Sequence, residues 1–288
     1  MKKTNVLIAG YGRLGQSFYR MYHSRYEIRG IKRTPLPNDP CPLFLMPIQS
    51  PAILPHLQWT DVLIFCPAPD KPVEGRRNRH RDNDREVDPY RKVYPENMEF
   101  LIDLIRRYGV TVQSFILIGS TGVYPHSQDG PWTEERTIPV ETPRQEILVR
   151  TERLLIESGI PYVILRCGGL YGDGRENFAH LLRKTHLLTS EMNEDRIALV
   201  HQEDVCGVID GVIEQRIRND IFNVVDDSGL RRKELYQWAA QQAGMSIVDD
   251  GPPPPPPADR TLSNAKLKEI LGYRFRSPQI RSRIGAWI

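Results

Sequence analysis

The chain has 288 residues, 40% of them hydrophobic and 26% charged, with a formal net charge of +3. That length supports one large domain or two small ones around a sizeable core. No apolar run reaches the ~18 residues that would cross a membrane, and the mild positive charge falls well short of a dedicated nucleic-acid binder. The four cysteines, Cys41, Cys66, Cys167 and Cys206, are far apart with no metal-ligand spacing, so free thiols in a reducing compartment such as the cytoplasm, and no bound metal, are expected.

The first apolar stretch, "NVLIA" behind "MKKT", reads as a strand and not as a targeting segment, because it is short and runs into glycines without a cleavage site. "RLGQSFYRMYHSR" follows with Leu14, Phe18 and Met21 or Tyr22 at helical spacing. "YEIRGIKR" and "TDVLIFC" read as strands, "ENMEFLIDLIRRYG" as a helix closing on Gly109, and "QSFILIGS" as the next strand. Then come the helical "RQEILVRTERLLIESG", the strand "PYVILRC", the helical "HQEDVCGVIDGVIEQR" and the strand "DIFNVV". Strands alternating with helices imply crossover units and a parallel sheet covered on both faces, an α/β fold.

Between the first strand and helix, "IAGYGRLGQ" places Gly10, Gly12 and Gly15 in a G-x-G-x-x-G pattern. Gly10 suits a tight turn, Gly12 a close approach of main chain to a pyrophosphate, and Gly15 close helix–strand packing, with the helix N-terminus adding N–H groups and positive dipole. A dinucleotide is the expected guest, contacted by Gly10, Tyr11, Gly12, Arg13, Leu14 and Gly15, and by Cys66, Pro67 and Ala68 after "TDVLIFC". The second strand ends "GIKRTP", with Lys32 and Arg33 and no carboxylate to accept from the adenosine ribose. A 2′-phosphate would meet cations there, which favours NADP(H) over NAD(H); a solvated strand end is the plainer reading of the same pair.

From Ser120 to Tyr124, "STGVY" resembles the S-x-x-V-Y signature of the extended short-chain dehydrogenase/reductases, which include the NAD-dependent epimerase/dehydratases of nucleotide sugars. "LRCGGLYGDGRE" is similar to that family's R-x-x-x-x-Y-G-x-G-R segment, "ALVHQEDV" to its I-H-V-x-D segment, "FNVVDD" to its penultimate strand and "LSNAKLKEILGYRF" to its closing helix. The resemblance runs from about Asn5 to Phe275. It implies a doubly wound Rossmann sheet flanked by helices over residues 1–165, with the remaining strands in 166–288 interleaved with a small C-terminal substrate-binding region. It also implies a small-molecule substrate, a homodimer as a further partner, and a Ser120 hydroxyl that bonds the substrate oxygen; serine at such a turn equally suits a cap.

The chain departs from this family where the proton moves. Laid on the helix with Glu152 as anchor, Arg144 falls at the family's tyrosine and Leu148 at its lysine, and neither is a general acid or base. Tyr94 stands where the family has asparagine. Tyr124 is the nearest phenol in sequence and the candidate acid beside Ser120, with packing next to the cofactor as its other reading. Tyr171, Arg175 and His201 are candidate substrate contacts on loops facing the same cleft; for His201 a capped structural turn with Asp204 is the alternative.

"KPVEGRRNRHRDNDREVDPYRK" reads as an exposed charged loop whose arginines suit an anionic substrate or merely solvent. The run Pro252 to Pro257 reads as a stiff spacer, and "GPWTEER" as a loop without chemistry. Two functions from different classes share these features: an NAD(P)-dependent oxidoreductase or epimerase on a sugar-like, nucleotide-linked substrate, and an NADP(H)-binding redox sensor without turnover. A scaffold that keeps only the fold is a third, against which the intact glycine loop argues.

Overall fold

The computed structural model describes residues 2–68, 89–172, 196–242 and 259–276. Within them lie β1 (Asn5–Ala9), α1 (Arg13–Tyr22), β2 (Glu27–Lys32), β3 (Leu43–Leu45), α2 (Leu54–Trp59), β4 (Val62–Phe65), α3 (Asn97–Arg107) and β5 (Ser114–Ser120). They continue with α4 (Pro143–Ile156), β6 (Tyr162–Cys167), β7 (Gly169–Tyr171), β8 (Leu199–His201), α5 (Gln202–Glu214), β9 (Asp220–Val224), α6 (Arg232–Gln242) and α7 (Ala265–Leu271).

A seven-stranded sheet has the order β3-β2-β1-β4-β5-β6-β9, and every pair in it is parallel. The alternation of side chains along β1 shows why both faces are apolar. Val6 and Ile8 join Phe18 of α1 and Val205 and Val212 of α5 in one core, whereas Leu7 and Ala9 join Met98, Leu101 and Ile105 of α3 in the other. This is the doubly wound Rossmann-type fold. Its strand order reverses between β1 and β4, so a crevice opens at their carboxyl ends, where ligands bind in sheets of this kind.

The strands and helices expected from the sequence all form. Short β3, α2, β7 and β8 were invisible to periodicity, being three to six residues long. Within the loop "GPWTEER", Trp132 bridges Leu262 in an isolated parallel pair and is wholly buried. Ahead of α3 the chain forms a π-helical turn over Lys92–Glu96, with Pro95 inside it. Proline lacks the N–H for an ordinary helical bond and pushes the preceding residue from α geometry. Here the Asn97 side chain donates to the Val93 carbonyl at 2.9 Å. The helix α4 starts on a capping box, Thr142 and Gln145 bonding each other's main chain, with Pro143 at its first position.

Candidate cofactor and active site

The glycine loop sits at the crevice. Gly10 has φ +95°, and a Cβ there would lie 2.6 Å from the Cys66 carbonyl oxygen and 2.7 Å from the Pro67 Cα. Only glycine allows β1 and the end of β4 to come this close. A Cβ on Gly12, by contrast, would find its nearest atom, the Gly10 carbonyl oxygen, at 4.0 Å. No part of the described protein requires a glycine at position 12. Gly12 is also the N-cap of α1 and provides no side-chain cap, so the opening N–H groups, including those of Arg13 and Leu14, face a cradle that a Cβ would fill. These residues fit a dinucleotide pyrophosphate. Leu14 is buried in the core, so its offer to a ligand is its main-chain N–H.

Tyr11 and Gly15 require a correction. The Tyr11 ring is 2% exposed, its N–H bonds the Ile31 carbonyl at 2.8 Å, and its phenol donates to Asp39 at 3.0 Å. A Cβ on Gly15 would stand 2.8 Å from that ring, and one on Gly30 2.7 Å from it. Tyr11 is therefore a structural wedge rather than a cofactor contact, and the Gly15 glycine makes room for it rather than for a strand. Asp39 also accepts from the Gln16 amide at 3.0 Å and the Cys41 N–H at 2.9 Å, which ties the β2–β3 loop to α1. Lys32 ends β2 opposite Leu45 of β3, and Arg33 follows it, exposed. Cys66, Pro67 and Ala68 lie at the carboxyl end of β4, beside Gly10.

Further along the same sheet edge, Ser120 ends β5. Its hydroxyl accepts the Gly122 N–H at 3.0 Å, capping the turn Thr121–Val123, and its own proton is left to give. Ser120 lines a small cleft with Tyr94, Leu117, Gly119, Val123, Leu148, Thr151 and Glu152. Leu148 contributes hydrocarbon to the wall of this cleft.

Tyr124 does not face this cleft. It is 0% exposed; its phenol donates to the Asn223 amide oxygen at 2.8 Å and accepts from Arg166 at 2.8 Å. Burial raises this phenol above the ordinary tyrosine value, against the opposing pull of Arg166. Its oxygen is fully engaged in the core, which removes Tyr124 as the acid. The Arg166 guanidinium, 4% exposed, holds the Glu152 carboxylate at 2.8 Å, with a second nitrogen at 3.1 Å. Burial alone would push Arg166 down, and its bonds to Glu152 and Tyr124 more than offset that. Asn223 in turn donates to the Trp132 and Ser263 carbonyls at 3.2 and 3.0 Å and, through its N–H, to Glu134 at 2.6 Å. The sequence reading missed this network. Its signal was an arginine and an asparagine inside the apolar strands "PYVILRC" and "DIFNVV", where a charge or amide must be partnered.

Tyr171 and His201 pair on the β7–β8 ribbon, ring edge to face at 5.1 Å. Tyr171 donates to Asp226 at 3.2 Å. His201 is 2% exposed and caps α5, its Nδ1 accepting the Glu203 N–H at 3.3 Å. Both side chains are buried and engaged within the fold rather than exposed toward a ligand. Asp226 also accepts from the Ser228 N–H at 3.0 Å, and burial pushes its carboxyl up to about 6. Arg175, the charged loop from Lys71 and the proline run lie outside the described residues or nearly so.

Among the described residues no cluster of His, Cys, Asp and Glu suits a metal ion, and no helix is long and apolar enough to cross a membrane. No family model and no curated protein matches the sequence. Solved structures do match. A candidate NAD-dependent epimerase/dehydratase from Methylobacillus flagellatus is 22% identical, with 99% of this chain and 97% of that one covered at a TM-score of 0.80. The Bordetella bronchiseptica enzyme WbmG, solved with NAD and UDP, is 15% identical over 99% of this chain and 95% of its own, at a TM-score of 0.78. MoeE5, solved with UDP-glucose and NAD, is 18% identical over 96% and 95%, at a TM-score of 0.75. The likeness extends over nearly the whole of each chain and establishes the Rossmann-type fold.

Proposed function

We propose that this protein is a nicotinamide-dinucleotide-dependent oxidoreductase or epimerase of the extended short-chain dehydrogenase/reductase type, acting on a sugar-like, nucleotide-linked substrate. One observation carries the reading: a glycine cradle with open space at Gly12 and the Ser120 hydroxyl stand on the same carboxyl edge of the sheet, on either side of the crevice. Gly12, Arg13 and Leu14 would hold the pyrophosphate through main-chain N–H groups. A nicotinamide ring supplies hydride exchange with a substrate carbon. Ser120 bonds the oxygen on that carbon. The structures with NAD and a uridine nucleotide support the ligand class.

Lys32 and Arg33 favour a 2′-phosphate, so NADPH is the preferred partner in this reading. A second reading, a sensor that binds NADP(H) without turnover, draws on Leu148, which lines the cleft where a lysine would be needed. Calorimetric titration with NADPH and NADH, on wild type and on Arg33→Ala, tests the cofactor. NADPH is expected to bind more tightly than NADH, and Arg33→Ala to weaken NADPH about tenfold, the ~1.4 kcal/mol of one charge-assisted contact. Failure of both nucleotides to bind overturns the proposal. Screening UDP-sugars for reduction of bound NADP+ or NAD+ then separates enzyme from sensor.

A further inference from the structure

The geometry points to Tyr94 as the donor that acts beside Ser120 on the reacting oxygen of the substrate, in place of the tyrosine that position 144 lacks. The inference rests on the function proposed above and names one more of its working residues.

Four observations converge on this side chain. Tyr94 and Ser120 line one cleft. Among the described residues the Tyr94 phenol has no hydrogen-bond partner, and Ser120, which accepts from Gly122, still has a proton to give. Tyr94 sits in the π-helical turn Lys92–Glu96, directly before Pro95, and such turns re-aim a side chain at the cost of regular helix bonding. Its ring is stacked on Tyr90 at 5.8 Å, and Tyr90 in turn lies under the Arg144 guanidinium at 4.6 Å. The row Arg144, Tyr90, Tyr94 fixes the phenol from behind.

The charges around the ring suit a donor. Burial raises the Tyr94 phenol above the ordinary tyrosine value, Tyr90 and Cys66 add to this, and the Arg144 charge opposes it. Tyr94 therefore enters the reaction protonated.

In the reducing direction the substrate carbonyl carbon gains the hydride of the reduced dinucleotide and the C=O π pair moves onto oxygen. The Tyr94 O–H bond breaks and the O–H bond of the product alcohol forms. The phenolate recovers its proton from water, and the nearby Arg144 charge favours that transient anion. Oxidation of an alcohol is the same sequence reversed. Two neutral donors aimed at one developing oxyanion are worth roughly 10²–10³ in rate for each donor removed.

The test compares wild type, Tyr94→Phe and Tyr90→Phe. Alkaline titration of tyrosinate absorbance, taken as wild type minus each variant, isolates each phenol. A bound NAD+ would bring its positive charge close to the Tyr94 phenol and is expected to move the Tyr94 step down. Tyr94→Phe is expected to bind NAD+ as wild type does by calorimetry, and to slow turnover of an accepted sugar nucleotide 10²–10³-fold at unchanged KM for NAD+. NAD+ binding with an unmoved Tyr94 step, or undiminished turnover in Tyr94→Phe, overturns this inference and leaves the proposed function standing. Absence of binding of both NAD+ and NADP+, or a wild type silent toward every sugar nucleotide, overturns the function as an enzyme and the donor role with it.

Discussion

The two sides of the crevice are built by different means. On the β1 side the surface offered to a ligand is main chain: the Gly10 turn pressed against Cys66 and Pro67, the open Gly12, and the uncapped start of α1. On the β5 side it is side chains: Ser120, Tyr94, Leu148 and Glu152 line the cleft, and Glu152 is paired with the buried Arg166. A main-chain site is specified by the few residues that allow an unusual backbone path, and substitution elsewhere hardly touches it. A side-chain site depends on what each neighbouring element contributes, and the chemistry can pass from one element to another while the fold stays the same. In this chain α4 carries Arg144 and Leu148, and Tyr94 lines the cleft from the π-helical turn before α3.

The largest effect expected is on the β5 side. Glu152→Ala leaves the Arg166 guanidinium buried with Tyr124 as its remaining described partner, and breaking a buried ion pair costs about 3–5 kcal/mol. Urea denaturation should show a loss of this size. Glu152→Gln keeps an acceptor for Arg166 and should lose less. A Glu152→Ala protein as stable as wild type would mean that the β5 side does not rest on this pair.

The glycines of the β1 side should separate stability from binding. Gly10→Ala forces a Cβ to 2.6 Å from the Cys66 carbonyl oxygen at φ +95°, and strain of that kind costs roughly 1–3 kcal/mol. Gly12→Ala meets no described protein atom nearer than 4.0 Å, so stability should stay within ~0.5 kcal/mol of wild type. Its methyl group instead fills the cradle, and the dinucleotide Kd should rise tenfold or more, a loss of at least ~1.4 kcal/mol. Thermal unfolding and calorimetry on the two variants give opposite orders if the cradle is real. Equal dinucleotide affinity in Gly12→Ala and wild type would remove it.

The same contrast explains what the sequence made legible. The glycine loop and the alternation of strand and helix follow from local rules, since Gly10, Gly12 and Gly15 carry their meaning within six residues, whereas the crevice at the strand-order reversal depends on a sheet order that no local rule sets. Even so, the local pattern misjudged Gly15 and Tyr11, whose ring lodges against Gly30, a residue of the next strand. The place of Ser120 at the end of β5 was legible from its motif. Tyr124 was not, because adjacency to Ser120 in sequence does not reveal that its side chain turns inward to Arg166 and Asn223. Tyr94 drew notice only as a departure; its place in the cleft depends on a π turn, and Pro95 is the one local sign of it.

A pH-dependent effect is expected at the far end of the sheet, beyond β9, where Asp226 is held by Ser228 and Tyr171. Its folded carboxyl titrates at about 6 against an ordinary value of 3.8, because burial disfavours the anion. Between those pH values the folded state holds the proton that the unfolded state has released, so this group's contribution to stability falls as pH rises from about 4 to 6, by an upper figure of ~3 kcal/mol. Asp226→Asn is neutral throughout; its amide oxygen can still accept from Ser228, and the Tyr171 hydroxyl can turn to accept from its N–H. The stability of Asp226→Asn relative to wild type should therefore rise across that window and level off above it. Dinucleotide affinity at neutral pH should not change, since β9 and β1 are separated in the sheet by β4, β5 and β6. Chemical denaturation of both proteins from pH 4 to 7 reads the difference directly. A flat difference would show that the carboxylate is solvated and titrates as an ordinary aspartate; a coupled loss of dinucleotide affinity would show that the two ends of the crevice are not independent.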